Sequence, residues 1–207
     1  MKVKILILTT IFFINGCSGS DSSTGVITTG LESRYKLVYM FNANRYEGHV
    51  MRWPSTTIKL HDFPDIKYTS DAIDAWSFNF QFEKGSGDIE WGGWATDMPN
   101  YCGKAQWRMS KDSEGYLIKS CLIRLNGACR TLSNTMIHEF GHCLGVFNHT
   151  ANGSVMDPVS AYSPVISSDI KTMIKTLYEL PRDMQLTESG EASFKKDIFI
   201  PEKDEIF

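Results

Sequence analysis

Hydrophobic positions in several short segments follow the two-residue period of a strand with one buried face. In residues 56–60, for example, Ile58 and Leu60 alternate with polar neighbours. Residues 89–91 alternate in the same way, whereas residues 35–41 and 116–125 are rich in β-forming side chains without strict alternation. We predict a strand for each, and a loop-like stretch from the Gly92-Gly93 pair to Gln106.

Three other segments have the three- and four-residue spacing of amphipathic helices. Each starts at a residue that can cap a helix: Thr69 or Ser70, Thr131 or Ser133, and Ser167 or Ser168. The apolar faces consist of Ala72, Ala75, Trp76 and Phe80; of Met136, Ile137, Phe140 and Leu144; and of Ile170, Met173, Ile174, Leu177 and Tyr178. We predict three helices, the first over residues 70–80 and the last ending before Pro181.

The N-terminus has the pattern of an export signal. Lys2 and Lys4 precede an apolar run over residues 5–14 that is too short to span a membrane as a mature helix. The run ends in Ile-Asn-Gly-Cys, which resembles the bacterial lipobox, so we expect residues 1–16 to be removed and Cys17 to be lipidated. Ordinary signal cleavage within residues 18–23 is the alternative.

The residues after Cys17 are rich in serine, glycine and threonine, which predicts a flexible tether over residues 17–34. Ser18 is not the aspartate associated with inner-membrane retention, so the resemblance to lipoproteins implies anchoring in the outer membrane.

Composition changes this picture little. The chain has 207 residues, 42% of them hydrophobic and 22% charged, as in an ordinary globular domain. The formal net charge of −3 gives no electrostatic reason to expect nucleic acid as a partner. We expect a monomer whose partners are a protein or peptide substrate and, through the lipid, a membrane.

Export to an oxidising compartment would let the remaining cysteines form disulfides. These are Cys102, Cys121, Cys129 and Cys143. A Cys129–Cys143 bridge is disfavoured because Cys143 lies about 15 Å along the predicted helix from its start, whereas bridged Cα atoms lie about 4.4–6.8 Å apart. Two bridges, or one bridge and a free Cys143, remain open.

The most informative motif is His138-Glu139-Phe140-Gly141-His142. Two histidines four residues apart on a helix project from the same face and can share one metal ion. A catalytic zinc needs a third protein ligand and one open position. Gly145 can end the helix in the left-handed conformation and turn the chain back toward the metal, and His149 follows.

Residues 138–149 resemble the zinc signature of the metzincin metallopeptidases, most closely the matrixin-like members, and Ser154-Val155-Met156-Asp157-Pro158 resembles their Met-turn. In that signature the third histidine stands at the position of Asn148. We expect His149 to be the ligand, because imidazole binds zinc far better than a carboxamide oxygen does. Asn148 as a weak ligand, or a site with two protein ligands, is the alternative.

The resemblance implies an α+β catalytic domain over residues 35–182, followed by residues 183–207 as a C-terminal tail or an added strand. Its parts would be a twisted mixed β-sheet, a first helix, an active-site helix, the Met-turn and a C-terminal helix. It also implies a secreted, lipid-anchored zinc endopeptidase, with Zn²⁺ held by His138, His142 and His149 and Glu139 as general base.

Other roles follow from the same resemblance. Met156 would support the metal from below, and an edge strand at residues 89–91 would pair with an extended substrate. Tyr162, Pro164 and Val165 are candidates for the walls of a substrate pocket.

Two other functions remain open. A gluzincin-type peptidase would take its third ligand from Glu179, and a non-catalytic zinc-containing binding or adhesion lipoprotein would need no base at Glu139. Calcium binding by Asp112 and Glu114 is possible but unsupported, because residues 110–115 lack the alternating ligand spacing. Cys102 lies in a segment that faintly resembles a matrixin cysteine switch, and a structural cysteine is favoured there.

Overall fold

A computed structural model describes residues 30–98, 100–151, 153–158, 163–194 and 205–206. Within these residues there are four α-helices: α1 (Gly30–Phe41), α2 (Lys67–Trp76), α3 (Leu132–Cys143) and α4 (Ser168–Glu179). Eight strands accompany them: β1 (Thr57–His61), β2 (Gln81–Lys84), β3 (Ile89–Trp94), β4 (Gly103–Asp112), β5 (Gly115–Leu125), β6 (Met184–Leu186), β7 (Ala192–Phe194) and β8 (Glu205–Ile206). The predicted α+β class with a mixed sheet is confirmed. In these ranges no helix combines the length and apolar character needed to cross a membrane.

The main sheet has six strands in the order β2-β1-β3-β5-β4-β8. Strands β2, β1, β3 and β5 run parallel to one another, whereas β4 runs antiparallel to both β5 and β8. The prediction that residues 89–91 form an edge strand is therefore wrong. Ile89 and Glu90 pair with β1 on one side and with β5 on the other.

The strand predicted at residues 35–41 is also wrong, because this segment belongs to α1. Val38 is fully buried, and the Arg34 guanidinium donates hydrogen bonds to Thr176 Oγ1 at 3.0 Å and to Glu179 Oε2 at 2.6 Å, both on α4. Helix packing against α4 thus overrides the strand preference of aromatic and β-branched side chains. The helix begins at Gly30, inside the range expected to be a tether.

Strands occur in the segment predicted as a loop and in the segment predicted as a tail or an added strand. Strand β4 begins at Gly103, within the stretch predicted as a loop up to Gln106, and its Ala105 and Trp107 are buried. The range expected as a C-terminal tail contributes β6 and β7, which pair with each other, and β8. Met184 and Leu186 of β6 are buried, so the folded core extends beyond residue 182.

Two disulfides, Cys102–Cys129 and Cys121–Cys143, each join Cα atoms 5.6 Å apart. The disfavoured Cys129–Cys143 pairing does not form, and Cys143 is bridged rather than free. The Cys121–Cys143 bridge ties β5 to the last turn of α3.

Two buried indole groups donate hydrogen bonds to backbone carbonyls of α3. Trp76 Nε1 donates a hydrogen bond to the carbonyl of Ile137 at 2.8 Å, and Trp53 Nε1 donates one to the carbonyl of Cys143 at 2.8 Å.

The packing of α1 predicts a contrast between two alanine substitutions. Val38→Ala should lower the free energy of unfolding by about 2 kcal/mol, because it removes buried methyl groups and leaves a cavity. Leu31→Ala, in the same helix at a half-exposed position, should change it by less than about 0.5 kcal/mol. Denaturant unfolding measures both, and equal effects would contradict the packing of α1.

Candidate metal centre

Helix α3 carries the histidine motif, and the residues at its two ends determine where it begins and where the chain turns back. It begins after Thr131, whose carbonyl accepts the first intrahelical bond, from the Thr135 N–H at 2.9 Å, and whose side chain makes no capping hydrogen bond. It ends at Cys143, and two residues later Gly145 has a φ of +107°, which is strained for other residues, where the chain turns back. The turn predicted at Gly145 is therefore present.

The three predicted histidine ligands lie together. The Nε2 atoms of His138 and His142 are 3.0 Å apart, and the Nε2 atom of His149 lies 3.1 Å from the first and 3.2 Å from the second. His138 and His142 are buried, whereas His149 is exposed on one side. Residues from a helix and from the loop after it thus aim the same ring atom at one point.

The opposite ring nitrogens show why Nε2 is the free atom. His138 Nδ1 donates to the carbonyl of Val155 at 2.6 Å, and His142 Nδ1 donates to the carbonyl of Val146 at 2.6 Å. A carbonyl oxygen only accepts, so the proton resides on Nδ1 and the Nε2 lone pair is available to a metal. Sequence reasoning missed these two acceptors, because a backbone carbonyl leaves no signature in the residue type.

The spacing of the three nitrogens fits a metal ion. A point about 2.0–2.1 Å from all three, the usual zinc–imidazole distance, lies about 1 Å off their plane. Burial lowers the pKa of His138 and of His142. Burial also lowers the pKa of His149 to about 4, and repulsion from the protonated form of His138 and from Arg45 contributes to this shift. All three rings are therefore neutral near pH 7, as metal ligation requires. This group could hold a metal ion.

Asn148, the alternative third ligand, is turned away from the histidines. Its Oδ1 accepts a hydrogen bond from Arg45 Nε at 2.6 Å, and its Nδ2 donates to Asn44 Oδ1 at 2.6 Å. The structure thus brings His149, and not Asn148, to the other two imidazoles.

Met156 is fully buried in the turn below α3. A Cβ atom on Gly141 would overlap the Met156 thioether, so the turn packs directly against the middle of the helix. The Met156 carbonyl accepts the Thr150 N–H at 2.9 Å, which links this turn to the residue after His149. Met156 therefore braces the segments that carry the histidines.

Glu139 shares a cleft of about 220 Å³ with the histidines. Glu139 is only 6% exposed. Burial raises its pKa to about 8, partly offset by a hydrogen bond from the Ala105 backbone N–H. A Cβ atom on Gly103 would clash with the Glu139 carboxylate and with Thr135, so a glycine is needed where β4 passes this carboxylate. Sequence reasoning had not identified Gly103 or Ala105 as neighbours of the site.

The predicted pocket residues do not line this cleft within the part of the chain that is described. Pro164 and Val165 are exposed elsewhere, while Tyr162 and Cys17, the residue predicted to be lipidated, lie outside the described residues. The cleft wall is formed instead by Asn100, Tyr101, Cys102, Gly103, Thr135 and Pro158.

The remaining candidates are engaged in other contacts. The Glu179 carboxylate pairs with Arg34 at 2.6 Å, away from the histidines. Asp112 and Glu114, the calcium candidates, pair with the buried guanidinium of Arg182 at 2.9 Å and 2.6 Å. Cys102 is held in its disulfide, as a structural cysteine would be.

Comparison with known proteins adds no assignment. No protein-family model matches the chain, and no curated protein matches it.

The two disulfides should differ in reactivity. Cys102 and Cys129 are half-buried, whereas Cys121 and Cys143 are 2% and 0% exposed. Mild reduction of the folded protein should therefore release the first pair, detected by alkylation and peptide mapping. Reduction in denaturant should release all four thiols. Alkylation of Cys121 or Cys143 before Cys102 and Cys129 would contradict the burial difference.

Proposed function

We propose that this protein is an exported, lipid-anchored zinc endopeptidase of the metzincin type. The observation that supports it most strongly is the convergence of three imidazole Nε2 atoms in one cleft with the buried carboxyl group of Glu139. A purely structural metal site has no use for such a carboxyl group.

Zinc is the metal that suits this donor set best. Three imidazoles are a common protein ligand set for catalytic zinc, with a fourth position left to water or substrate. The histidines line an open cleft, which provides space for that fourth position. Structural zinc sites instead have four protein ligands, and the described residues offer three at this point.

Zinc bound to the three histidines would supply a Lewis acid that polarises a peptide carbonyl and lowers the pKa of a water molecule. Glu139 is the group that moves the proton. Burial raises the pKa of Glu139, and a zinc ion bound nearby would lower it again by favouring the charged form. The carboxylate could then accept a proton from the attacking water. The protonated carboxyl group then donates that proton to the nitrogen of the leaving amine. The Ala105 N–H holds the carboxylate in place throughout.

Strand β4 is the sheet element beside the cleft. Gly103 lines it and Ala105 bonds Glu139. Strand β4 pairs with β8 at Gln106 and Trp107, so among the described residues its first residues have a strand on one side alone, whereas Ile89 and Glu90 of β3 have strands on both sides. We therefore assign the pairing of an extended substrate to the start of β4, with Asn100 and Tyr101 as the adjoining wall. The two disulfides agree with an oxidising, exported environment, and anchoring through Cys17 belongs to the same proposal.

The decisive experiment is Glu139→Gln. The purified protein should bind about one zinc ion per chain and cleave casein or gelatin in a chelator-sensitive manner. Glu139→Gln should retain the zinc and lose at least about 100-fold in kcat/KM, because the amide keeps the shape but cannot serve as a base. Metal analysis and a peptidase assay check both. A wild-type protein that binds zinc without cleaving peptides would favour the non-catalytic lipoprotein instead.

The close approach of β4 gives a second test. Gly103→Ala should lower kcat at least about tenfold while zinc binding is retained, because its methyl group displaces Glu139 but touches no metal ligand. Gly127→Ala is the matched control, since a Cβ there meets only ordinary contacts with Trp94. Equal activity in the two variants would show that Glu139 tolerates displacement or has no catalytic role.

A further inference from the structure

The loop that carries His149 is held by the C-terminal end of α1. Asn42, which is fully buried, donates from Nδ2 to the Gly145 carbonyl at 2.8 Å. The Phe147 N–H donates to the carbonyl of Phe41 at 2.7 Å. The first residues of the loop therefore follow a path that the end of α1 dictates.

Asn148 makes the last of these contacts, directly before His149. Its carboxamide accepts from Arg45 Nε at 2.6 Å and donates to the Met40 carbonyl at 2.5 Å and to Asn44 Oδ1 at 2.6 Å. Both ends of the carboxamide are engaged, and all three partners lie within residues 40–45. The side chain therefore has one orientation in which every bond is made.

His149 depends on such support more than the other two histidines do. His138 and His142 lie on the rigid helix α3, and each donates from Nδ1 to a backbone carbonyl. His149 is exposed and lies on a loop, and among the described residues its Nδ1 has no such acceptor. Its ring is thus positioned chiefly by the backbone on either side, which Asn148 fixes before it and Thr150 after it.

We infer that Asn148 is a positioning residue of the metal site, which orients His149 toward His138 and His142 by bonding to residues 40–45. The inference rests on the metal binding that the proposed function assumes, but not on peptidase activity. Asparagine suits the task because it accepts one hydrogen bond and donates two here. Aspartate in its ionised form only accepts, and alanine does neither.

The test compares Asn148→Ala and Asn148→Asp with the wild type by titrating zinc into the metal-free protein against a chromophoric chelator. Both variants should bind zinc about 10- to 100-fold more weakly, as is typical when a group supporting a ligand is lost. If Asn148 were itself a ligand, the carboxylate of Asn148→Asp would retain or strengthen binding, and that result would overturn the inference. His149→Ala provides the reference for loss of a true ligand.

A spectroscopic measurement separates positioning from general destabilisation. The visible bands of bound Co²⁺ report ligand geometry, and they should change in Asn148→Ala while the metal-free protein unfolds at nearly the wild-type temperature. Unchanged bands together with unchanged zinc affinity would overturn the inference.

The exposed partner Asn44 provides a milder variant should Asn148→Ala fold poorly. Asn44→Ala should weaken zinc binding by a smaller factor, and the double variant should be no weaker than Asn148→Ala alone, because both changes break the same bond. Additive losses would show that the two residues act separately, against the inference.

Absence of peptide cleavage by the wild type would refute the proposed function and leave these zinc-binding results intact.

Discussion

Two hydrogen bonds from histidine to the main chain determine what this site can bind. His138 donates to the carbonyl of Val155 and His142 to that of Val146, which places both protons on Nδ1 and leaves both Nε2 lone pairs aimed at the same point. Each bond imposes a demand on the fold. The chain must turn back at Gly145 to bring Val146 to His142, and the turn containing Met156 must lie under α3 to bring Val155 to His138.

The core meets both demands by holding α3 from several sides. Gly141 lets the Met156 thioether and the Trp76 indole approach the helix where any larger residue would separate them. The Cys121–Cys143 bridge fixes its last turn to the sheet. Close packing of this kind transmits small displacements, so the geometry of the histidines is a property of the whole core rather than of the motif alone.

Local features were predictable from the sequence, and features set by distant contacts were not. Strand β5, helix α4 with its Ser167 cap and the turn at Gly145 follow from spacing within a few residues of each. Helix α1 could not be recognised in this way, because it is secured by Arg34 reaching a residue 145 positions away. The interior position of β3 likewise depends on the order of strands in the sheet, which the local alternation of side chains does not encode.

The position of the third histidine, His149, depends on both local chemistry and distant contacts. Chemistry alone favoured His149 over Asn148 as the ligand, but it could not reveal the contacts of Asn148, since its partners lie more than a hundred residues earlier. Relative to the metzincin signature that the motif resembles, one more residue separates Gly145 from the third histidine, and we infer that the anchored side chain of Asn148 keeps His149 in place. Here the anchor is the end of α1, the element whose strand prediction was wrong. The unusual spacing of the motif and the presence of this N-terminal helix are therefore parts of one arrangement, in which the helix supplies the contacts that the longer loop requires.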